Sequence, residues 1–152
     1  MRDPIFLLWL ISREPGKRKT HYQYQTGWSD EKFRRVVKAL ERRGFIVREL
    51  DGGKHKYRIT INGYQYLYRN GNKHAFLLAE LIEKRGPICT GELYEIYRAE
   101  CLRRGIKPAT LRYVRRIVKE LEERGVIALR MVYGGKHGNT TVYEVTHLFR
   151  RA

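Results

Sequence analysis

Cysteine, long apolar runs and acidic charge are all scarce in this chain, and each scarcity removes a class of protein from consideration. Only Cys89 and Cys101 occur, twelve residues apart in the same half. They fit neither a disulfide framework nor the paired Cys-x-x-Cys spacing of a structural zinc site, and read as reduced core residues. The apolar run inside "MRDPIFLLWLI" is too short to span a bilayer, has Asp3 ahead of it and is followed by no small-residue cleavage site. No membrane partner is expected, and the protein reads as cytoplasmic. The histidines, His21, His55, His74, His137 and His147, are scattered without an H-E-x-x-H or comparable spacing, and no serine or cysteine stands in an elbow motif. No metal site, no cofactor and no enzymatic activity are expected. Asn and Gln are few beside 32% charged residues, the balance of a protein from a hot environment.

What the chain has in excess is positive charge: 32 Lys and Arg against 16 Asp and Glu, for a formal net charge of +16. The excess is even, with 16 basic and 7 acidic residues in 1–70 and 16 and 9 in 71–152. A pI near 10.1 spread over the whole length is the electrostatic footprint of a nucleic-acid binder.

The evenness has a textual counterpart. "RRVVKALERRG" at Arg34–Gly44 returns 81 residues later as "RRIVKELEERG" at Arg115–Gly125, changed only at the third, sixth and ninth places. The repeat extends outward. An apolar stripe beginning "FLL" opens each half, at Phe6–Leu8 and Phe76–Leu78, and glycines close it at Gly16 and Gly86. Downstream, "DGGK" and "GGKHGN" separate alternating strands, "FIVREL" from "HKYRITI" and "VIALRMVY" from "TTVYEVT". Such glycine turns supply the positive φ that a tight hairpin needs. The endings Tyr57-Arg58-Ile59-Thr60 and Tyr143-Glu144-Val145-Thr146 also correspond. With a break at Asn70-Gly71-Asn72, the chain reads as two domains, 1–70 and 71–152.

Each half has room for a helix before the repeated phrase. "GELYEIYRAECLRRG" supplies it in the second half, with Thr90 as its cap and Leu93, Ile96, Tyr97 and Cys101 or Leu102 as its stripe; "THYQYQTG" is the shorter version in the first. Asp3-Pro4 marks the start of the first helix, Ser29 caps "DEKFRRVVKALERR", and Pro108 is expected in the first turn of "KPATLRYVRRIVKELEERG". Helix, short helix, long amphipathic helix and hairpin make a winged helix. The fold class is therefore α+β, mainly helical, with two tandem winged-helix domains.

At 100° per residue the long helix of the first half gathers Phe33, Val36, Val37 and Leu40 on one face, leaving Arg34, Arg35, Lys38 and Arg42 opposite. Its counterpart buries Leu111, Val114, Ile117, Val118 and Leu121 and presents Arg112, Arg115, Arg116 and Lys119. Taken alone, basic residues opposite a core stripe are a solvated helix face. Lys54 and His55, and Lys136 and His137, change the weighing, because they stand at both glycine turns, where a wing reaches phosphate or the minor groove. These twelve residues are the expected contacts to double-stranded DNA. "KRK" at Lys17–Lys19 leads into Tyr22, Tyr24 and Trp28, a mixture that is either core or a single-strand stacking surface.

"GWSDEKFRRVVKALERRGFIVRELDGGKHKYRITINGYQYL", with its Thr60-x-x-Gly63 helix start, resembles the MarR-like class of winged helices. "GELYEIYRAECLRRGIKPATLRYVRRIVKELEERGVI" resembles the C-terminal winged helix of archaeal origin-recognition initiator proteins. The resemblance implies an archaeal or archaeal-virus DNA-binding protein, nucleoid-associated, with Arg112, Arg115, Arg116 and Lys119 on a recognition helix and Lys136 and His137 on a wing. Such initiators also carry an ATPase module; "GGKHGN" lacks the spacing of a phosphate-cradling G-x-x-x-x-G-K-[ST] loop. The leading expectation is a sequence-specific transcription regulator whose two recognition helices enter major grooves about 34 Å apart, covering roughly 15 to 20 base pairs. A replication or plasmid-partition factor without ATPase activity is the alternative. The rival from another class is a protein-interaction module, in which "FLLWLI" and Trp9 leave an apolar patch for a partner or for a homodimer through the first helix.

Overall fold

A computed structural model describes residues 1–135 and 138–150, with backbone alone considered at 133–135, 138 and 139. The chain divides into two units, residues 1–72 and 73–150.

The first unit runs α1 (Asp3–Arg13), α2 (Lys19–Thr26), α3 (Asp30–Arg42), β1 (Ile46–Asp51), β2 (Lys54–Ile59) and α4 (Ile61–Asn70). Helix α1 is apolar all round and is accordingly buried all round: Ile5 through Ile11 lie inside, Trp9 keeps only 6% of its surface, and α2, α3, β2 and α4 pack against it. The apolar patch expected from "FLLWLI" is therefore absent, because the helix is the centre of its own unit. Asp3 does not cap the helix. It lies in the first turn, behind Arg2, and pairs with Lys32 at 3.1 Å. Gly27, at φ 69°, ends α2 in the left-handed conformation that glycine adopts without steric cost.

Ser29 caps α3 as expected, its hydroxyl accepting from the Lys32 N–H at 3.2 Å. Phe33, Val36, Val37 and Leu40 fill the core beneath the helix. Strands β1 and β2 pair antiparallel from Ile46 opposite Ile59 to Asp51 opposite Lys54, turning through Gly52 and Gly53 at φ 60° and 79°. Two consecutive positive φ values match the mirror-image turn whose twist suits a hairpin. The second strand is shorter than the alternation suggests, since Ile61 already opens α4. Thr60 caps that helix by accepting from the Gly63 N–H at 3.0 Å and also donates to the Gly44 carbonyl at 2.6 Å. Gly63 is required by space: a Cβ there would stand 2.2 Å from the Phe45 carbonyl oxygen.

The second unit runs α5 (Lys73–Arg85), β3 (Ile88–Cys89), α6 (Thr90–Arg104), α7 (Leu111–Glu123), β4 (Ile127–Gly135) and β5 (Gly138–Val145). Its three strands lie in the order β3-β5-β4, all antiparallel, with an irregularity between Val132 and Gly135. In the first unit a single bridge between Arg18 and Lys56 takes the place of β3.

Two helix starts differ from expectation. Thr90 is the first residue of α6 and not its cap; Cys89, held in β3, precedes it, and the Thr90 hydroxyl instead donates to that of Tyr143 at 3.1 Å. Pro108 lies in the connection before α7. The cap is Thr110, whose hydroxyl accepts from the Tyr113 N–H at 3.2 Å and which stands 81 residues after Ser29. In α6 Leu93, Tyr97 and Cys101 are buried, while Ile96 is partly covered and Leu102 is exposed; in α7 Leu111 is likewise only partly covered. No helix among the described residues is long and apolar enough to cross a membrane.

Candidate nucleic-acid interface

Helix α3 is locked down by its apolar stripe, so Arg34, Arg35, Lys38 and Arg42 have nowhere to point but outward, and all four are exposed. Lys54 and His55, at the hairpin turn, are exposed as well. Between them lies an open cleft of about 640 Å³. Its walls are Arg18 and Lys19 from the start of α2, Arg34, Lys38 and Glu41 from α3, and Arg48, Lys54 and His55 from the hairpin, over a floor of Phe33, Val37 and Tyr57. The cleft brings together Arg34, Lys38, Lys54 and His55 of the expected contacts; Arg35 and Arg42 border a second depression of about 510 Å³ further along α3.

Sequence reasoning missed three cationic walls of this cleft. Arg18 and Lys19 were visible only as part of a basic run, and Arg48 not at all, although strand alternation places Arg48 on the same face as the buried Ile46.

The cleft is not uniformly cationic. Asp30 holds both Lys19 and Arg34, the latter at 3.1 Å, and the Lys19 hydrogen bond, with Arg34 beside it, keeps the Asp30 carboxyl below its ordinary range. Glu41 likewise engages Arg48 at 3.1 Å. Of the aromatics after "KRK", Tyr22 is core: its hydroxyl donates to the Glu14 carbonyl at 2.5 Å and accepts from the Lys17 N–H at 3.0 Å. Burial pushes that phenol up to about 12. Trp28 packs edge-on against Phe6 under the Lys32 ammonium, so only Tyr24 stands free of the body. A single-strand stacking row is not formed.

Helix α7 presents Arg112, Arg115, Arg116 and Lys119 to solvent over a stripe of buried Val114, Ile117, Val118 and Leu121. Arg116 lies 5.8 Å from the Tyr113 ring centre. Among the described residues, no carboxylate pairs with Arg112, Arg115 or Lys119. The first turn of α7 contains no acid, whereas that of α3 contains Asp30 and Glu31. A helix start free of carboxylates keeps its partial positive charge available to phosphate. Lys136 and His137, expected at the second wing tip, lie outside the described residues.

The connection into α7 is fixed from behind. Tyr97, fully buried in α6, accepts from the Ala109 N–H at 2.8 Å, and its hydroxyl lies 2.7 Å from Nδ1 of His74 in α5. Burial, with Lys73 nearby, lowers the His74 pKa and favours the neutral ring, whose Nδ1 can accept a hydrogen bond from the Tyr97 hydroxyl. Burial also raises Tyr97 to about 12.

Residues 74–147 match the family model of the CDC6 C-terminal winged helix domain. The second unit is a winged-helix domain. An ORC1-type DNA replication protein of Pyrococcus abyssi is 32% identical over 79 residues, 46% of this chain and 19% of its own length. ORC1-type DNA replication protein 1 of Sulfurisphaera tokodaii is 38% identical over 58 residues, 38% of this chain and 15% of its own length. The chain thus spans less than a fifth of these curated relatives. A solved structure of the Aeropyrum pernix ORC1 protein in complex with DNA aligns over 95% of this chain and 37% of its own, at 23% identity and a TM-score of 0.43. In the winged-helix domain of this chain, α7 is the third helix and β4–β5 the hairpin that follows it.

Proposed function

We propose that the chain is a non-enzymatic double-stranded-DNA-binding protein, that its first unit is a second winged helix, and that α3 and α7 are its two recognition helices. One observation carries the reading: the ridge of Arg112, Arg115, Arg116 and Lys119, exposed on the third helix of a winged-helix domain, with no carboxylate paired to Arg112, Arg115 or Lys119 among the described residues. A helix with its side chains is about 10–12 Å across and the B-DNA major groove about 12 Å wide, so the ridge can enter it. Arginine reads guanine edges or clamps phosphate, while lysine supplies charge. Lys54, His55 and the second wing meet the neighbouring backbone.

The curated relatives are ORC1-type DNA replication proteins, which favours a role in DNA replication over transcription regulation. Nothing comparable supports the regulator or a viral origin. ATP hydrolysis has no part in the proposal, which rests on charge and groove fit alone.

The test is a fluorescence-anisotropy titration of a labelled 30-base-pair duplex in about 100 mM salt with unlabelled single strand as competitor. Saturable duplex binding that equimolar single strand leaves intact is expected. Displacement by single strand would favour a stacking surface, and no duplex binding would favour an interaction module.

A further inference from the structure

The residue just before the cap of α3 and of α7 is held by the helix in front of it, and at the same two atoms. In the second unit that residue is Ala109, followed by the cap Thr110. Its N–H donates to the Tyr97 hydroxyl at 2.8 Å, and its carbonyl accepts from the Tyr94 hydroxyl at 3.3 Å. In the first unit it is Trp28, followed by the cap Ser29. Its N–H donates to Thr26 Oγ1 at 3.2 Å, and its carbonyl accepts from Gln23 Nε2 at 3.5 Å. Trp28 and Ala109 stand 81 residues apart, the offset of the repeat.

Buried hydroxyls and amides find partners as a rule, so either pair alone would be ordinary. The recurrence is not copied sequence. The clamping residues are Gln and Thr in one unit and two tyrosines in the other, and Thr26 lies two residues from its target while Tyr97 lies twelve from its own. Different side chains reaching by different routes converge on one peptide position. In both units they stand three residues apart on the preceding helix, the spacing that puts two side chains on one face. Thr26 in turn donates to the Gln23 carbonyl at 2.8 Å, and the Tyr97 hydroxyl lies 2.7 Å from His74, so neither hydroxyl is free to swing.

What the pair controls follows from where it acts. The apolar stripes hold α3 and α7 to their units but are non-directional, so they resist lifting more than pivoting. Directional bonds on both sides of one residue fix its orientation, and the helix leaves the connection one residue later. At 1.5 Å per residue Lys119 lies about 14 Å along α7 from Thr110, so a pivot of about 10° at the connection moves it by roughly 2 Å. Binding groups need placement to about 0.5 Å.

Resting on the DNA-binding reading above, we propose that Tyr94 with Tyr97, and Gln23 with Thr26, are positioning residues. They set the angle at which each recognition helix meets the duplex, and so which base edges its arginines reach, acting through the helix and not by contact with DNA. Attraction to phosphate survives their loss, because it depends on charge and not on a set angle. Sequence discrimination does not.

The test uses the full chain and two duplexes of equal composition, one selected by the wild type from a random pool and one scrambled. Affinities are read by anisotropy at a temperature where circular dichroism shows the variants folded. The wild type prefers the selected duplex. Tyr97→Phe and Thr26→Val keep the side-chain shape and lose the bond, and each narrows that preference by about five- to tenfold, the scale of one well-placed base contact. Affinity for the scrambled duplex and its salt slope stay at the wild-type values. Tyr143→Phe is the control for a tyrosine hydroxyl lost elsewhere in the winged-helix domain, one that accepts from Thr90 at 3.1 Å, and it keeps the full preference. Amide exchange is the second readout: the Ala109 N–H is protected in the wild type and exchanges faster in Tyr97→Phe. Should that variant unfold, Tyr94→Phe removes the carbonyl-side bond from a half-buried position. Unaltered preference in the folded variants, equal loss on both duplexes, or a wild type without preference overturns the positioning role and leaves duplex binding standing; absence of duplex binding by the wild type overturns both.

Discussion

At the scale of single residues, some cations are held by carboxylates and others are open to phosphate. Arg115 and Arg116 are exposed on α7 and take no part in the core. Replacing both with alanine should weaken duplex binding by about 2–4 kcal/mol with no change in melting temperature. Unchanged affinity in an anisotropy titration would remove α7 from the interface. Asp30 works in the opposite direction, since it occupies Lys19 and Arg34. Asp30→Asn should raise duplex affinity severalfold and steepen the salt dependence by about one to two phosphate equivalents. It should also lower stability slightly through loss of a favourable charge at the α3 start, measurable by denaturant titration.

His74 gives a pH signature. Its folded pKa is lowered, so the unfolded chain binds more protons as pH falls through the ordinary imidazole range. Stability of the winged-helix domain is therefore full above the unfolded pKa of about 6.5 and declines as pH falls below it, levelling once the folded ring is also protonated. His74→Phe retains a ring beside Tyr97 and should flatten this slope, though it is less stable at neutral pH for want of an acceptor for the Tyr97 hydroxyl. Melting curves from pH 7.5 to 5 check both statements; equal slopes would mean that His74 does not couple to the fold.

At the scale of elements, the caps and turns explain what could be read and what could not. Ser29 before "DEK" and Thr60 before Ile61-Asn62-Gly63 are hydroxyls with a donor three residues on; Ser29 caps as read, and Thr60, expected as a helix start, proves to be the cap of α4. Thr110 does the same for α7 but was obscured by Pro108, a second valid start signal two residues upstream; only the 81-residue offset from Ser29 tells them apart. Thr110→Ala should cost about 1 kcal/mol, and Gly63→Val several, since backbone cannot yield to a Cβ at 2.2 Å; thermal melts distinguish the two. Strand β3 has only two residues, too few to show a period, and was invisible for that reason. The apolar character of α1 was plain, but a hydropathy pattern does not say how many neighbours an apolar helix has; four elements surround this one, so what looked like a docking patch is core. On α3 and α7 the periodicity sufficed, because a strong stripe on one face compels the other face outward.

At the scale of the molecule, the even spread of charge was legible from composition, and the repeat divided it between two similar element orders. What the charge is used for was not legible, because phosphate attraction is common to every role that a DNA binder can have, and the relatives that share this domain are more than five times its aligned length. The central claim is that the free arginine ridge of the winged-helix domain, with its partner ridge on α3, grips duplex DNA through its phosphates. The most direct measurement is duplex affinity as a function of salt. With six to eight phosphates engaged, affinity should fall about a thousandfold between 50 and 200 mM, linearly in log–log form, and the slope should shrink by about two in the Arg115→Ala/Arg116→Ala variant. A titration that stays flat across that range would contradict the account.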